Sequence, residues 1–378
     1  MTTMTAPAGQ AGKPGQPAPL GPFRGGTQPT VIATGYTQTV TLSAATQALP
    51  TYQIKPTNLL RCIYIEVKAT AAGNAATVAF QADAPLNVFS SLNFADAGGT
   101  PIVGPFDSYA LNAAMKYFGY FLNGDARQNA VFSATTGSGA SGGSFTVVFR
   151  IPVEAVARTG LGSLQNQSTN SPLTLDLTVN TSAAIYSTAP TSAPSISITL
   201  RLGGYWDGNN GAYSPTPKAF GSTQYVNRAS IPALNGASQF QLPNVGLGNP
   251  VRNIAFLNYA TGGARAGSGT FPDPFEIDFK GNRLRQSSIL QWQYDMSEDW
   301  ELSGAIDTGN GLDTGVFVQN FTKDFGTNPG AELGLGYLST AVGDELQVIG
   351  TWGASSTLYE LVNFVAVNGA PSAVQGMV

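Results

Sequence analysis

The sequence predicts an all-β chain built as two similar β-sandwiches in tandem, with short helices in the connections. Three observations carry that reading. Short runs rich in Thr, Val, Ile, Phe and Tyr recur from Val31 onward, separated by Gly, Pro and Asn. One of them, NLLRCIYIEVKAT (58–70), returns as NPVRNIAFLNYAT (249–261), which sets Asn58 over Asn249, Arg61 over Arg252, Ile63 over Ile254 and Thr70 over Thr261. Between the two copies GGYWDGNNGAYSPTPKAFGS (203–222) holds five Gly and two Pro, the composition of a boundary.

Taken in order, residues 1–30 contain six Pro and six Gly and almost no side chain able to form a core, so they read as an extended arm. The first sandwich, 31–202, holds strand candidates at 37–42, 60–69, 76–81, 89–95, 144–151, 173–179 and 195–202. Alternation is cleanest in SISITLRL, where Ile196, Ile198, Leu200 and Leu202 share one face. After the linker 203–222, which carries Trp206 between Tyr205 and Tyr213, the second sandwich, 223–378, repeats the texture at 238–242, 252–260, 275–281, 315–321, 344–352 and 358–367. A tight Gly turn follows LNFADAGG in the first half and FEIDFKG in the second, with Phe94 laid over Phe279. Each turn leads into a helix candidate. SYALNAAMKYFGYF (108–121) aligns Leu111, Met115 and Phe118, with Asp107 as N-cap; SSILQWQYDMSEDW (287–300) aligns Ile289, Trp292 and Met296, with Ser287 or Ser288 as cap. Both stripes read as core packing, and Trp352 at the end of its strand does too.

Composition narrows the function. The 378 residues include only 18 Lys and Arg and 22 Asp and Glu, 11% charged against about 25% in an ordinary soluble domain. With 42% hydrophobic residues the chain nonetheless folds, so its surface is made largely of small and neutral polar side chains, which are cheap to desolvate against a partner. Its single cysteine and lack of histidine exclude a disulfide framework, a cysteine zinc cluster and the His-based triads, metal sites and pH switches. A net charge of −4 gives no basic footprint for nucleic acid. No apolar run is long enough to span a membrane, and the N-terminus lacks the pattern of a signal peptide. Lys13, Arg24, Lys55 and Arg61 all precede the first acidic residue, Glu66, so the first sixth of the chain is basic and suited to an anionic surface such as lipid headgroups.

The sequence nominates no catalytic, cofactor-binding or metal-ligating residue. In DTGNGLD, Asp307, Asn310 and Asp313 offer oxygens to a hard cation such as calcium, but the spacing is not that of an EF-hand and the closing Glu is absent; the plain reading is a polar surface loop. Asp295, Glu298, Asp299 and Glu301 could supply a glycosidase-like pair, against the plainer reading of a solvated acidic face at a helix end. GGTPIVG and GTWG do not fit a dinucleotide fingerprint, and neither a phosphate-binding loop nor a Ser-x-x-Lys motif occurs. The glycosylation-type motifs at Asn166, Asn180 and Asn320 mean little without a secretory context. Cys62 sits opposite Ile63 and Ile65 on its strand, and its counterpart in the repeat is Asn253, so the position does not demand sulfur.

Order and spacing together resemble the double jelly-roll major capsid proteins of tailless icosahedral bacteriophages with an internal membrane, the tectivirus type. The residues that carry this lie mainly in the second half, in RNIAFLNYATGG (252–263), FEIDFKGNRL (275–284), LDTGVFVQNFTKDF (312–325), YLSTAVGDELQVIGTWG (337–353) and LYELVNFVAV (358–367), with a looser match at LLRCIYIEVKAT, LNFADAGGTPI and SYALNAAMKYFGYFLNGD. The resemblance implies two eight-stranded jelly rolls per chain and a homotrimer of pseudo-hexagonal outline. It further implies contacts between capsomers, a pentameric vertex protein, minor capsid proteins, and an N-terminal arm at the inner side near the membrane. The chain would be a structural coat subunit in the virion, made in the host cytoplasm, without a cofactor. Two other classes compete with it: a carbohydrate-binding or receptor-binding β-sandwich of a spike or adhesin, and a β-sandwich glycoside hydrolase working through carboxylates.

Overall fold

The computed structural model describes residues 28–71, 74–121, 124–139, 141–155, 162–166, 168–206, 222–243, 245, 248–267, 269–309, 311–322 and 336–367. The arm at 1–27, most of the linker, Tyr213 and Asn310 lie outside them.

Two antiparallel sheets face each other in the first half. One orders β1 (Gln28–Thr41), β7 (Ser195–Trp206), β2 (Asn58–Thr70) and β5 (Phe145–Pro152) as β1-β7-β2-β5. The other places β6 (Thr174–Val179) between β3 (Phe89–Ala95) and the short strands Gln47–Ala48 and Tyr52–Gln53, with β4 (Pro101–Phe106) outside β3. The chain therefore visits the two sheets in jelly-roll order. Period-two patterning drives this: Phe145, Val147, Phe149 and Ile151 of β5 and Ile196, Ile198, Leu200 and Leu202 of β7 are all buried, while the residues between them are half-exposed.

The second half repeats the plan with two bent strands. The first ten residues of β8 (Ser222–Gln241) pair with the end of β13 (Leu346–Val367), and its last six pair with the start of β13, across register breaks at Ile231/Leu234 and Leu234/Gly236. Each long strand thus serves both sheets of the roll. On one side β13 pairs with β9 (Val251–Ala260), which pairs with β12 (Val316–Asn320); on the other it pairs with β10 (Phe275–Phe279), which pairs with β11 (Asn282–Ser287). The two copies of the repeated stretch are β2 and β9, and each lies between the last strand of its roll and the strand after its helix. Cys62 pairs with Pro152 and Gly203, and Asn253 pairs with Asn320 and Asn363. SFTVVFRI and SISITLRL do not pair with each other; they flank β2.

Two boundaries differ from the sequence reading. Gly203–Trp206 finishes β7 rather than opening a linker, and β1 begins at Gln28, inside the segment read as an arm. In both places the partner is the same: Gln28 pairs with Trp206 and Val31 with Gly203, so each strand extends the other beyond what its own apolar pattern announces. Both helices form where the stripes predict. α1 spans Ser108–Tyr117 with Asp107 accepting from the Ala110 amide, and α2 spans Ile289–Asp299 with Ser288 accepting from the Gln291 amide. No described helix is long and apolar enough to cross a membrane.

Candidate functional site: the junction between the rolls

The two rolls meet along α1, β4 and the outer face of β9. Val103 of β4 and Val226 of β8 form a parallel bridge, joining a sheet of the first roll to a sheet of the second. β9 is buried without alternation from Val251 to Asn258. One of its faces lines the second core, where the Phe256 ring meets Phe275 at 5.3 Å and Trp292 at 6.4 Å. The other meets the first roll, with the Arg252 guanidinium 4.8 Å from the centre of the Tyr120 ring.

The polar side of α1 is turned into this junction. Ser108, Asn112 and Lys116 recur every fourth residue and are all buried, so the helix has no solvent face. Each finds a partner. The Ser108 hydroxyl donates to the Leu86 carbonyl at 2.7 Å, and Asn112 accepts from the Ala126 amide at 3.2 Å. Lys116 Nζ donates to the Gly311 carbonyl at 2.6 Å and ion-pairs with Asp313 at 3.0 Å and Asp125 at 3.2 Å.

Asp313 is the centre of the cluster. Besides Lys116, it accepts from the Tyr117 hydroxyl at 2.7 Å and, on its other oxygen, from Arg127 at 2.8 Å. Burial would raise its carboxyl, but the charges of Lys116 and Arg127 and the Tyr117 hydrogen bond hold it below the ordinary Asp value. The Tyr117 phenol is pushed well up by burial and by Asp313. Nearby, Arg265 donates to Asp83 at 2.7 Å, Asp307 at 3.1 Å and the Thr314 carbonyl at 2.7 Å, over the Tyr109 ring. A second polar thread runs from the Tyr120 hydroxyl to Gln224 at 2.8 Å, from Asn363 to Gln224 at 3.1 Å, and from Arg252 to Asn363 at 3.0 Å.

This corrects the reading of Asp307–Asp313. Asp313 is 3% exposed and its oxygens are held by Lys116, Arg127 and Tyr117, so the segment is a buried clasp on the first roll and not a polar surface loop. Only Asp307 keeps to the surface. Among the described residues no three His, Cys, Asp or Glu side chains are placed to hold a metal ion. The acidic segment behaves as read: Asp295 accepts from Arg285 at 2.6 Å and Gln291 at 2.6 Å, Glu298 accepts from the Tyr294 hydroxyl at 2.6 Å, and Glu298, Asp299 and Glu301 are exposed. Cys62 is free and buried, and burial pushes its thiol up, away from reactivity.

Sequence reasoning missed Lys116, Tyr117, Asp125, Arg127 and Arg265. A signal was present in the spacing of Ser108, Asn112 and Lys116, a narrow polar stripe on a helix otherwise wholly apolar, which asks for buried partners.

No family model and no curated protein matches this chain. Solved structures do. The crystal structure of the STIV MCP matches with a TM-score of 0.63 at 12% identity, covering 90% of this chain and 97% of its own. A chain from the atomic structure of Sulfolobus Turreted Icosahedral Virus gives 0.62 at 14% identity, over 93% and 96%. The major capsid protein of bacteriophage PM2 gives 0.54 at 9% identity, over 91% and 99%. At such identities the likeness concerns the fold, and the fold of this chain is the double jelly roll found in major capsid proteins of icosahedral viruses.

Proposed function

We propose that this chain is the major structural subunit of an icosahedral virion, of the tailless, internal-membrane bacteriophage type. Three copies form a tile of pseudo-hexagonal outline, because two similar rolls per chain supply six similar corners per trimer. The observation that carries this reading is the clasped pair of like rolls. Asp313, Lys116 and Arg127 fix one sandwich on the other, so a single chain presents two equivalent blocks in a set relation.

Low charge supports the reading, since neutral side chains are covered by neighbouring copies at little desolvation cost. Leu290 and Tyr294 support it as well: one turn apart on α2, they stand 77% and 59% exposed, as unpaired apolar surface does at a subunit contact. The arm faces inward toward the membrane, a pentameric vertex protein and minor proteins complete the shell, and the chain is made in the host cytoplasm before entering the virion. Sizing by light scattering tests the proposal. Trimers or larger particles at micromolar concentration are expected, and a monomer at every concentration and ionic strength refutes it.

A further inference from the structure

We infer that the cleft between the two rolls binds a neutral saccharide. The cleft encloses about 640 Å³, within the usual range for small-molecule sites. The first roll lines it with Asp83, Asn87 and Tyr109, and the second with Tyr259, Ser356 and Tyr359. The glycine pair Gly262 and Gly263 closes one end. Both have positive φ, and no heavy atom lies within 4 Å of where a Cβ would stand, so the backbone there borders open space.

Three of these lining residues carry buried polar atoms without a protein partner: Asn87 Oδ1, the Tyr109 hydroxyl and Ser356 Oγ. Folded proteins leave few such atoms, and a concentration of them at one cleft marks a place where another molecule supplies the hydrogen bonds. Their chemistry defines that molecule. Asn87 Oδ1 can only accept, whereas the two hydroxyls both donate and accept, so the occupant must bring donors and acceptors together. Hydroxyl groups do.

Charge narrows the class further. Two acidic groups line the cleft, but Asp83 is held by Arg265 and Asp107 by Arg228. The carboxylates do not call for a cation, nor the arginines for an anion. The edge-to-face pair Tyr259 and Tyr359, with ring centres 5.3 Å apart, offers aromatic surface to the C–H groups of a sugar ring. A neutral, polyhydroxylated, partly apolar ligand satisfies all of these at once, and the site stands independently of the shell assignment.

Saturation-transfer NMR on the full chain tests this with methyl glucoside, methyl galactoside and methyl mannoside and their neutral trisaccharides, with glucosamine and sialic acid as charged controls. Transfer from at least one neutral sugar is expected at millimolar concentration. Ser355→Trp, which places bulk at the exposed rim of the cleft, is expected to reduce it about tenfold at an unchanged melting temperature. A trisaccharide bound more tightly than its monosaccharide identifies a polysaccharide chain crossing the cleft; equal binding identifies a free sugar. Absence of transfer from every neutral sugar, binding of the charged controls alone, or equal transfer in Ser355→Trp overturns the inference.

Discussion

Asp313 shows how one residue ties the halves together. Its removal would leave Lys116 and Arg127 buried with only Asp125 between them, so Asp313→Ala is expected to cost roughly 3–5 kcal/mol in urea unfolding. Asp307→Ala, at the exposed end of the same segment, is expected to cost less than about 1 kcal/mol. A calcium-dependent rise in melting temperature abolished by Asp313→Ala would contradict the clasp. Glu360 presents the opposite case. It is fully buried beside Phe256 and Ala229 in the second roll, neither oxygen has a hydrogen-bond partner, and burial pushes its carboxyl up to about 8. The folded state therefore keeps a proton that the unfolded chain, near 4.3, has lost. Stability is greatest below the unfolded value and falls by up to ~1.4 kcal/mol per pH unit toward pH 8. Glu360→Gln should flatten that slope, and an unchanged pH profile would refute it. Asp313, with its carboxyl held low, acts in a separate window, losing its contribution only as pH falls below the ordinary carboxylate range. Cys62→Ser is expected to leave assembly intact. Gly203 is less tolerant, because a Cβ there would lie 2.5 Å from Cys62 Sγ; Gly203→Ala should destabilise by about 1–3 kcal/mol, relieved when Cys62 is also changed to Ala.

At the scale of elements, the helix caps give a direct comparison. Asp107 caps α1 and also meets Arg228 of the second roll, so Asp107→Ala should cost about 1–2 kcal/mol, while Asp107→Asn keeps the cap and loses only the charge pair. Equal effects of the two changes in chemical denaturation would show that the cap contributes nothing. The elements also show what the sequence made legible. Strands with clean alternation, such as SISITLRL, and helices with a marked stripe lie where their patterns put them, since each pattern reports one buried face. β9 and α1 are harder. Both bury two faces, one on their own roll and one on the neighbouring roll, and a stripe drawn from one face says nothing of the second. Lys116 and Asp313 stand 197 positions apart, so no local pattern could join them. The repeat gave the correspondence of β2 and β9, because equivalent strands face equivalent neighbours. It could not give the bent paths of β8 and β13, which depend on register breaks far from any turn residue.

For the whole molecule, the account is that clasped twin rolls make one chain into two corners of a tile. The exposed pair on α2 belongs to this scale. Leu290→Lys with Tyr294→Lys should weaken self-association while leaving the melting temperature unchanged, since neither side chain contributes to the core. Electron microscopy of the purified full chain tests the central claim most directly. Particles of threefold symmetry with a pseudo-sixfold outline are the predicted result, and a field of single double-sandwich monomers at every concentration would contradict it.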